Sequence, residues 1–198
     1  MSVPLRLIVG LGNPGEQYAR TRHNAGVWFV SRLAEQLGVS FKAEKKCFGR
    51  VAVAHIDQQE IRLLIPSTFM NESGKAVGAI ANFYKIHSEE MLIAHDELDL
   101  PTGSIRFKHG GGLAGHNGLR DIARSLGGNQ NFNRLRIGVG HPGTKTEVIG
   151  HVLSTVTRAD EEIIFRCIDA ALYQLPQAVK GEWETAMNAL NGFNGAQA

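Results

Sequence analysis

Apolar and polar positions alternate along this chain in two periods, which predict a series of strands and helices. Short apolar runs bounded by turn residues predict strands, whereas apolar residues spaced three and four apart predict helices. The predicted strands cover residues 5–12, 48–56, 61–66, 91–95, 104–108 and 134–140. The predicted helices cover residues 25–37, 73–84, 119–126, 158 to about 177, and 182–190.

The order of these elements predicts an α/β fold, because strands that alternate with helices form a sheet between helical layers. We expect a single domain over residues 1–191, with a twisted, mixed and mostly parallel sheet flanked by helices. The hairpin at 48–66 supplies an antiparallel part. Residues 192–198 have few anchoring side chains, so we expect a frayed tail there.

Three polar residues follow predicted strands. Asn13 follows the first strand, Asn71 comes after the hairpin, and Asp96 follows the strand at 91–95. In open α/β sheets, sites form beyond the carboxyl ends of the strands. We therefore expect these side chains to lie near one another.

The composition is that of an ordinary globular domain, with 43% hydrophobic and 20% charged residues in a chain of 198. No apolar run approaches the ~18 residues needed to cross a bilayer. The N-terminal residues lack the apolar region of a signal peptide, so we expect a cytoplasmic protein with no membrane contact. Cys47 and Cys167 are too few for a disulfide framework and are expected to be buried thiols.

Positive charge is concentrated in one segment, although the whole chain carries a formal charge of only +2. Residues 103–145 hold seven Lys or Arg and one acid, a net charge of +6. Such a block suits a polyanionic partner. A solvated surface is the alternative interpretation.

Residues 10–15, Gly-Leu-Gly-Asn-Pro-Gly, match the glycine pattern of dinucleotide-binding folds. That site needs a helix beginning at the glycines, so that its amides face the phosphates. Here the helical pattern starts only near Ala25, and Pro14 lacks an amide donor. A rigid turn that aims the Asn13 side chain is the better interpretation.

Further candidates lie in polar loops before helices. His23 could be an ordinary surface residue, and Asn71 could simply cap a helix. An asparagine, however, offers both a donor and an acceptor to a peptide group or a water. Asp96 could ligate a metal, but its spacing matches no metal motif, so orienting a histidine is the simpler role.

Five of the nine residues from 110 to 118 are glycine, and the stretch also contains His116 and Asn117. It lacks the Gly-Lys-Ser/Thr ending of a P-loop, so nucleotide hydrolysis is not expected. A glycine-dense loop suits a mobile cover over a site. The alternative is a surface loop whose Asn117 caps the next helix.

Taken together, these motifs resemble those of bacterial peptidyl-tRNA hydrolases. The resemblance rests on residues 10–15, Tyr18 with 21–26 (Thr-Arg-His-Asn-Ala-Gly), 66–74 (Pro-Ser-Thr-Phe-Met-Asn-Glu-Ser-Gly), 95–101 (His-Asp-Glu-Leu-Asp-Leu-Pro), 115–119 and 134–143. It covers residues 5–150 in order. Ala114 departs from the pattern, because relatives often have glycine there.

The resemblance implies a monomeric enzyme without metal or cofactor that cleaves the ester between a peptide and the 3′-terminal ribose of tRNA, and so recycles tRNA from abandoned translation. His23 matches the catalytic base and Asp96 the residue that orients it, with His116 or His95 as further candidates for that orienting role. The matched substrate contacts are Asn13, Tyr18, Phe69, Asn71 and Asn117. Lys108 and Arg136 match contacts to the tRNA 5′-phosphate region.

Elementary chemistry is consistent with these roles. A histidine can take a proton from water at neutral pH, and neutral amides can stabilise an oxyanion without repelling RNA phosphates. Two other functional classes also fit the sequence. A non-catalytic RNA-binding protein would need the basic segment but not His23 with Asp96, and a dinucleotide-binding oxidoreductase would bind nicotinamide.

Overall fold

The computed structural model describes residues 3–198, so residues 1 and 2 of the predicted domain lie outside it. One seven-stranded sheet runs through the molecule in the order β2-β3-β4-β1-β5-β7-β6. The strands are β1 (Leu7–Gly10), β2 (Lys42–Glu44), β3 (Gly49–Ile56), β4 (Gln59–Pro66), β5 (Met91–Glu97), β6 (Ile105–His109) and β7 (Asn133–Gly138). The helices are α1 (Ala25–Gln36), α2 (Ser73–Tyr84), α3 (Asn117–Ser125), α4 (Val148–Val152), α5 (Arg158–Val179) and α6 (Trp183–Leu190).

The sheet is mixed and mostly parallel, as predicted. Strands β4, β1, β5 and β7 pair in parallel, whereas β3 and β6 run antiparallel to their neighbours. The pairings therefore point β2 in the same direction as the central four strands, and only β3 and β6 run the other way. The α/β class with a single sheet is confirmed.

Both faces of the sheet are buried, which explains why β1 is a continuous apolar run rather than an alternating one. Ile8 packs toward α1 and α5, together with Phe29 and Ile168. Leu7 and Val9 belong to the opposite core, which contains apolar residues of α2 and α3. The helical layers thus cover the centre of the sheet on each side.

Two glycines allow α1 to lie unusually close to the sheet. A methyl group on Gly26 would overlap the carbonyl oxygen of Ala94, and one on Gly10 would overlap Gly26 and Val30. Because neither glycine has a side chain, the start of α1 approaches the ends of β1 and β5 at backbone contact distance. This approach brings the turn before α1 next to the end of β5.

Predicted and observed elements differ mainly at their ends. β5 extends to Glu97, so Asp96 lies inside the strand rather than after it. α3 begins at Asn117, two residues earlier than predicted. The sequence pattern did not predict β2 and α4, which are three and five residues long.

Asn194 and Gly195, which lie in the tail predicted to be frayed, make backbone contacts with the residues before β6. Asn194 forms an isolated bridge with Ser104, and the Gly195 amide donates to the Gly103 carbonyl at 2.7 Å. The Gly195 carbonyl in turn accepts from Nε of Arg166 at 2.8 Å. These backbone contacts do not depend on the type of side chain, which is why composition could not predict them.

Candidate active site

His23 lies in a 3-10 turn, Arg22–Asn24, immediately before α1. A segment distant in sequence holds this turn. The Arg22 guanidinium donates to Oγ of Ser154 at 2.6 Å, and Thr21 forms a bridge with Thr155. The turn is therefore fixed both by the glycine contacts of α1 and by the chain that follows α4.

The imidazole of His23 is hydrogen bonded to Asp96, with Nδ1 of the histidine 2.8 Å from Oδ1 of the aspartate. An ionised carboxylate only accepts, so Nδ1 carries the proton and Nε2 keeps a free lone pair. Burial lowers the pKa of His23, but the charge of Asp96 and this hydrogen bond raise it more. The net pKa lies above the ordinary 6.5.

A second histidine donates to the same carboxylate oxygen. Nε2 of His116 lies 2.9 Å from Oδ1 of Asp96, while its Nδ1 accepts the amide of Leu119 at 3.3 Å and caps α3. Since Nδ1 accepts, the proton must reside on Nε2. Burial raises the pKa of Asp96, yet the two histidines outweigh it and hold that pKa well below its usual range.

His95, the other candidate for orienting the base, does not contact His23. Its Nδ1 donates to the backbone carbonyl of Asp96 at 2.7 Å, and its ring packs edge-on against His116 with centroids 5.0 Å apart. Burial, together with the nearby His116, lowers the pKa of His95 to about 3. His95 is therefore neutral and buried, and its ring packs against that of His116.

Asn13 is fixed by Asn24, a residue that was not predicted to belong to the site. Oδ1 of Asn24 accepts the Asn13 amide at 2.9 Å, and Nδ2 donates to the Asn13 carbonyl at 3.0 Å. The Asn13 side chain accepts the Met70 amide through Oδ1 at 2.7 Å. Its Nδ2 group is thereby left to donate into the cavity that Asn13 lines.

These groups surround a cavity of about 400 Å³. The predicted residues that line it are Asn13, Tyr18, His23, Phe69, Asn71, Asp96, His116 and Asn117. Tyr18 and Phe69 meet edge to face at its rim, with ring centroids 6.2 Å apart. Residues distant in sequence are thus brought together around one cavity, as predicted.

The wall formed by α4 is apolar and was not predicted. It presents Val148, Ile149, Val152 and Leu153 to the cavity. Counted from Val148, the other three lie one, four and five positions further along, which is the spacing of one face of a helix. This spacing is the sequence signal that could have indicated the wall. Ile149 is 71% exposed, which is unusual for a large apolar side chain beside a polar site.

Lys108 and Arg136 lie beside the cavity rather than in its wall. They occupy β6 and β7 on the face opposite α5 and α6, where the cross-strand pairs are Lys108 with Arg134 and Arg106 with Arg136. Nε of Arg136 donates to Oε2 of the buried Glu97 at 2.9 Å. Glu97 also lines the cavity, so it joins the basic strands to the site.

One arginine of the basic segment is not on the surface. Arg134 is 1% exposed, and its guanidinium donates to the carbonyls of Gly110 and Gly112. The buried guanidinium of Arg134 therefore cannot contact RNA directly, as an exposed arginine could.

The glycine turn does not form a dinucleotide site. The residues after it form a 3-10 turn, Glu16–Tyr18, and α1 begins only at Ala25. The long helix α1 therefore does not begin at the glycine turn, as the phosphate site of a dinucleotide-binding fold requires. This geometry supports the rejection of the dinucleotide-binding interpretation.

His23, Asp96 and His116 are also the types of side chain that ligate transition metals, and one atom of each lies within 4.8 Å of the others. The hydrogen bonds disfavour that use. A metal needs the lone pair of His116 Nε2, but that nitrogen carries a proton as long as Nδ1 caps α3. The arrangement is that of a hydrogen-bonded triad.

Comparison with known proteins decides the family. The family model described as peptidyl-tRNA hydrolase matches residues 7–198. The chain belongs to the peptidyl-tRNA hydrolase family. The resemblance inferred from the motifs is therefore confirmed.

Curated relatives match over nearly their whole length. A peptidyl-tRNA hydrolase of Alcanivorax borkumensis is 53% identical over 193 residues, which is 98% of this chain and 99% of that protein. One from Aeromonas hydrophila is 52% identical, with 98% of each chain covered. The crystal structure of peptidyl-tRNA hydrolase from Acinetobacter baumannii superposes with a TM-score of 0.93 at 48% identity, covering 96% of both chains.

Proposed function

We propose that this member of the family hydrolyses the ester of peptidyl-tRNA by activating a water molecule with His23. The observation that carries the proposal is the 2.8 Å hydrogen bond between His23 Nδ1 and Asp96. It places the free lone pair on Nε2 of a histidine that lines the cavity. A neutral imidazole can accept a proton from the attacking water and pass it to the ribose oxygen that leaves, which departs as a hydroxyl.

Neutral amides supply the rest of the reaction chemistry. Nδ2 of Asn13, with the amides of Asn71 and Asn117, can donate to the peptide backbone and to the oxyanion that develops during ester cleavage. The bond from Met70 to Asn13 fixes which end of the Asn13 amide faces the cavity. Carboxylates in these positions would repel both the oxyanion and the phosphates of RNA.

The remaining site residues are assigned to substrate binding. Tyr18 and Phe69 contact the substrate at the rim of the cavity, and the apolar wall of α4 faces the peptide. Lys108 and Arg136 bind backbone phosphates near the 5′ end of the tRNA, because basic residues on adjacent strands suit a polyanion. We further propose that the protein acts as a cytoplasmic monomer that recycles tRNA from abandoned translation.

No helix among residues 3–198 meets the length and hydropathy needed for a membrane span.

One assay tests the reaction and its independence of metal. Release of free tRNA from N-blocked aminoacyl-tRNA is measured with and without a chelator, and we expect activity to survive chelation. Loss of activity that added metal restores would instead support a metallohydrolase. Binding of tRNA without release would favour a non-catalytic RNA-binding protein, and enhanced nicotinamide fluorescence would favour an oxidoreductase.

A matched pair of variants assigns the base. His23→Ala should lose roughly 10²–10⁴-fold in rate, the usual contribution of general-base catalysis, while retaining tRNA affinity. The control is His55→Ala, because His55 is exposed on β3 and does not line the cavity. A folded His23→Ala protein that loses less than about tenfold would exclude this histidine as the base.

A further inference from the structure

Arg134 is a fully buried cation that neither the proposed chemistry nor the proposed phosphate contacts use. Its Nη1 donates to the Gly112 carbonyl at 2.7 Å, and its Nη2 donates to the Gly110 carbonyl. A buried charge is costly unless hydrogen bonds compensate it. Here the compensating acceptors are two backbone carbonyls of one loop, so the cost of burying the arginine is offset only while that loop keeps its place.

The loop that Arg134 holds leads directly into the site. Gly110, Gly111 and Gly115 adopt positive φ angles, as does Ala114, so this backbone has conformations available that ordinary residues seldom adopt. The loop ends at His116, which donates to Asp96, and Asn117, which lines the cavity. Without an anchor at its start, such a segment would sample many arrangements.

Arg134 also lies close to the proposed phosphate contacts. Burial lowers the pKa of Lys108, and the charges of Arg134 and Arg136 lower it further. A phosphate bound at Lys108 would relieve this repulsion. One guanidinium therefore lies between the face assigned to RNA and the loop that carries His116.

We propose that Arg134 is a positioning residue whose guanidinium fixes the loop at Gly110 and Gly112, and thereby places His116 and Asn117 for catalysis. The inference rests on the proposed roles of His23 and Asp96. It adds a residue that acts on the reaction through the backbone, without contacting water, peptide or RNA.

Two substitutions separate the charge of Arg134 from its geometry. Arg134→Lys keeps the positive charge near Lys108, but an ammonium on a flexible stem cannot hold two carbonyls in the arginine's planar geometry. Arg134→Met removes both the charge and the hydrogen bonds. The control is Arg158→Met, because Arg158 is 91% exposed at the start of α5, away from the cavity.

We expect Arg134→Lys to lower kcat by about tenfold to a hundredfold, the range that a misplacement of about 1 Å can cause. KM and the salt dependence of tRNA binding should change little, because the charge is retained. Arg134→Met should lose kcat to at least the same extent and also bind tRNA more weakly. Arg158→Met should match the parent protein in both quantities.

Two measurements do not depend on activity, so they distinguish failure of this inference from failure of the proposed reaction. In Arg134→Lys, amide hydrogen exchange should quicken in residues 113–119 while β5 and β7 stay protected. The ring 15N signals of His116 should lose the signature of an Nε2–H tautomer. If Arg134→Met fails to fold, Arg134→Lys decides the question by itself.

The inference is overturned if Arg134→Lys retains kcat, loop protection and the His116 tautomer. It is also overturned if that variant keeps kcat but flattens the salt dependence of tRNA binding, since the arginine would then act on RNA. Equal loss of protection throughout the sheet would show that Arg134 serves only global stability.

Discussion

Asn24 pairs with both backbone groups of Asn13, accepting its amide at 2.9 Å and donating to its carbonyl at 3.0 Å. Asn24 is 3% exposed and directly follows His23 in the chain. The pair of bonds therefore ties the turn that carries the proposed base to the turn that carries a proposed substrate contact. This side chain therefore contributes to the relative position of His23 and Asn13.

Substitution of Asn24 should damage the reaction although the residue is not proposed to touch the substrate. Asn24→Ala leaves the Asn13 amide and carbonyl without these partners, and we expect kcat/KM to fall by roughly 10²-fold through misplacement of Asn13. The measurement is a steady-state assay beside the control Asn82→Ala, a residue of α2 outside the cavity. Unchanged kcat/KM in a folded Asn24→Ala protein would refute the coupling.

Asn13→Asp should reduce specificity as well as rate. Asparagine can donate to the substrate's peptide group, whereas a carboxylate only accepts. It would also attract the free ammonium of ordinary aminoacyl-tRNA, the substrate that the enzyme should refuse. We expect a smaller ratio of kcat/KM for N-blocked over free aminoacyl-tRNA. A fall of equal size for both substrates would argue against discrimination by Asn13.

Asp96→Asn should shift the pH dependence of the reaction. The charge of Asp96 holds the pKa of His23 above 6.5, and a base must be neutral to act, so parent activity should decline on the acid side from above that pH. Without the charge, burial lowers the histidine pKa, and the acidic limb should move to lower pH. The rate should fall by up to about 10⁴-fold, the loss known for an amidated aspartate in serine proteases. An acidic limb that stays in place would show that Asp96 is not coupled electrostatically to His23.

Removal of the proposed phosphate contacts should flatten the salt dependence of tRNA binding. Each lost phosphate contact should reduce the slope of log K against log salt by roughly one. Lys108→Met tests this directly, with Lys42→Met at the opposite edge of the sheet as control. Arg136→Gln must be combined with Glu97→Gln, because the buried Glu97 carboxylate would otherwise lose its partner. Weaker binding with an unchanged slope would place the phosphates elsewhere.

His95 should make the folded protein sensitive to mild acid. Its folded pKa of about 3 lies below the ordinary 6.5, so between these values the unfolded chain binds more protons than the folded one. Stability due to this group is present above pH 6.5 and is lost as the pH falls toward 3, with a slope approaching about 1.4 kcal/mol per pH unit. His95→Asn should show a shallower decline in the free energy of unfolding between pH 6.5 and 4.5. Identical slopes would show that His95 is not the group responsible.

The central architecture and much of the site could be predicted because both depend on local pattern. Apolar runs indicated the parallel strands, and Asn13 and Asp96 lie at their carboxyl ends as that topology requires. β2 and α4 were not predicted, because elements of three and five residues contain too few positions to show a clear period and are stabilised mainly by tertiary contacts. His116 was only a secondary candidate, since its bond to Asp96 depends on how a glycine loop folds back. Arg134 was included in the basic segment expected to face a polyanion, because the sequence does not show which basic residue is buried in the folded protein.

The ordered C-terminal segment has a consequence for thiol chemistry. Gly195 lies against Sγ of Cys167, close enough that any side chain at 195 would collide with the sulfur. Cys167 is 1% exposed, and burial raises its pKa, so little reactive thiolate forms. A chain cut before Gly195 would uncover this sulfur to alkylating and oxidising reagents, while Cys47, buried elsewhere, would stay protected. Gly195 and its neighbours thus protect Cys167 from chemical modification, in addition to their structural contacts.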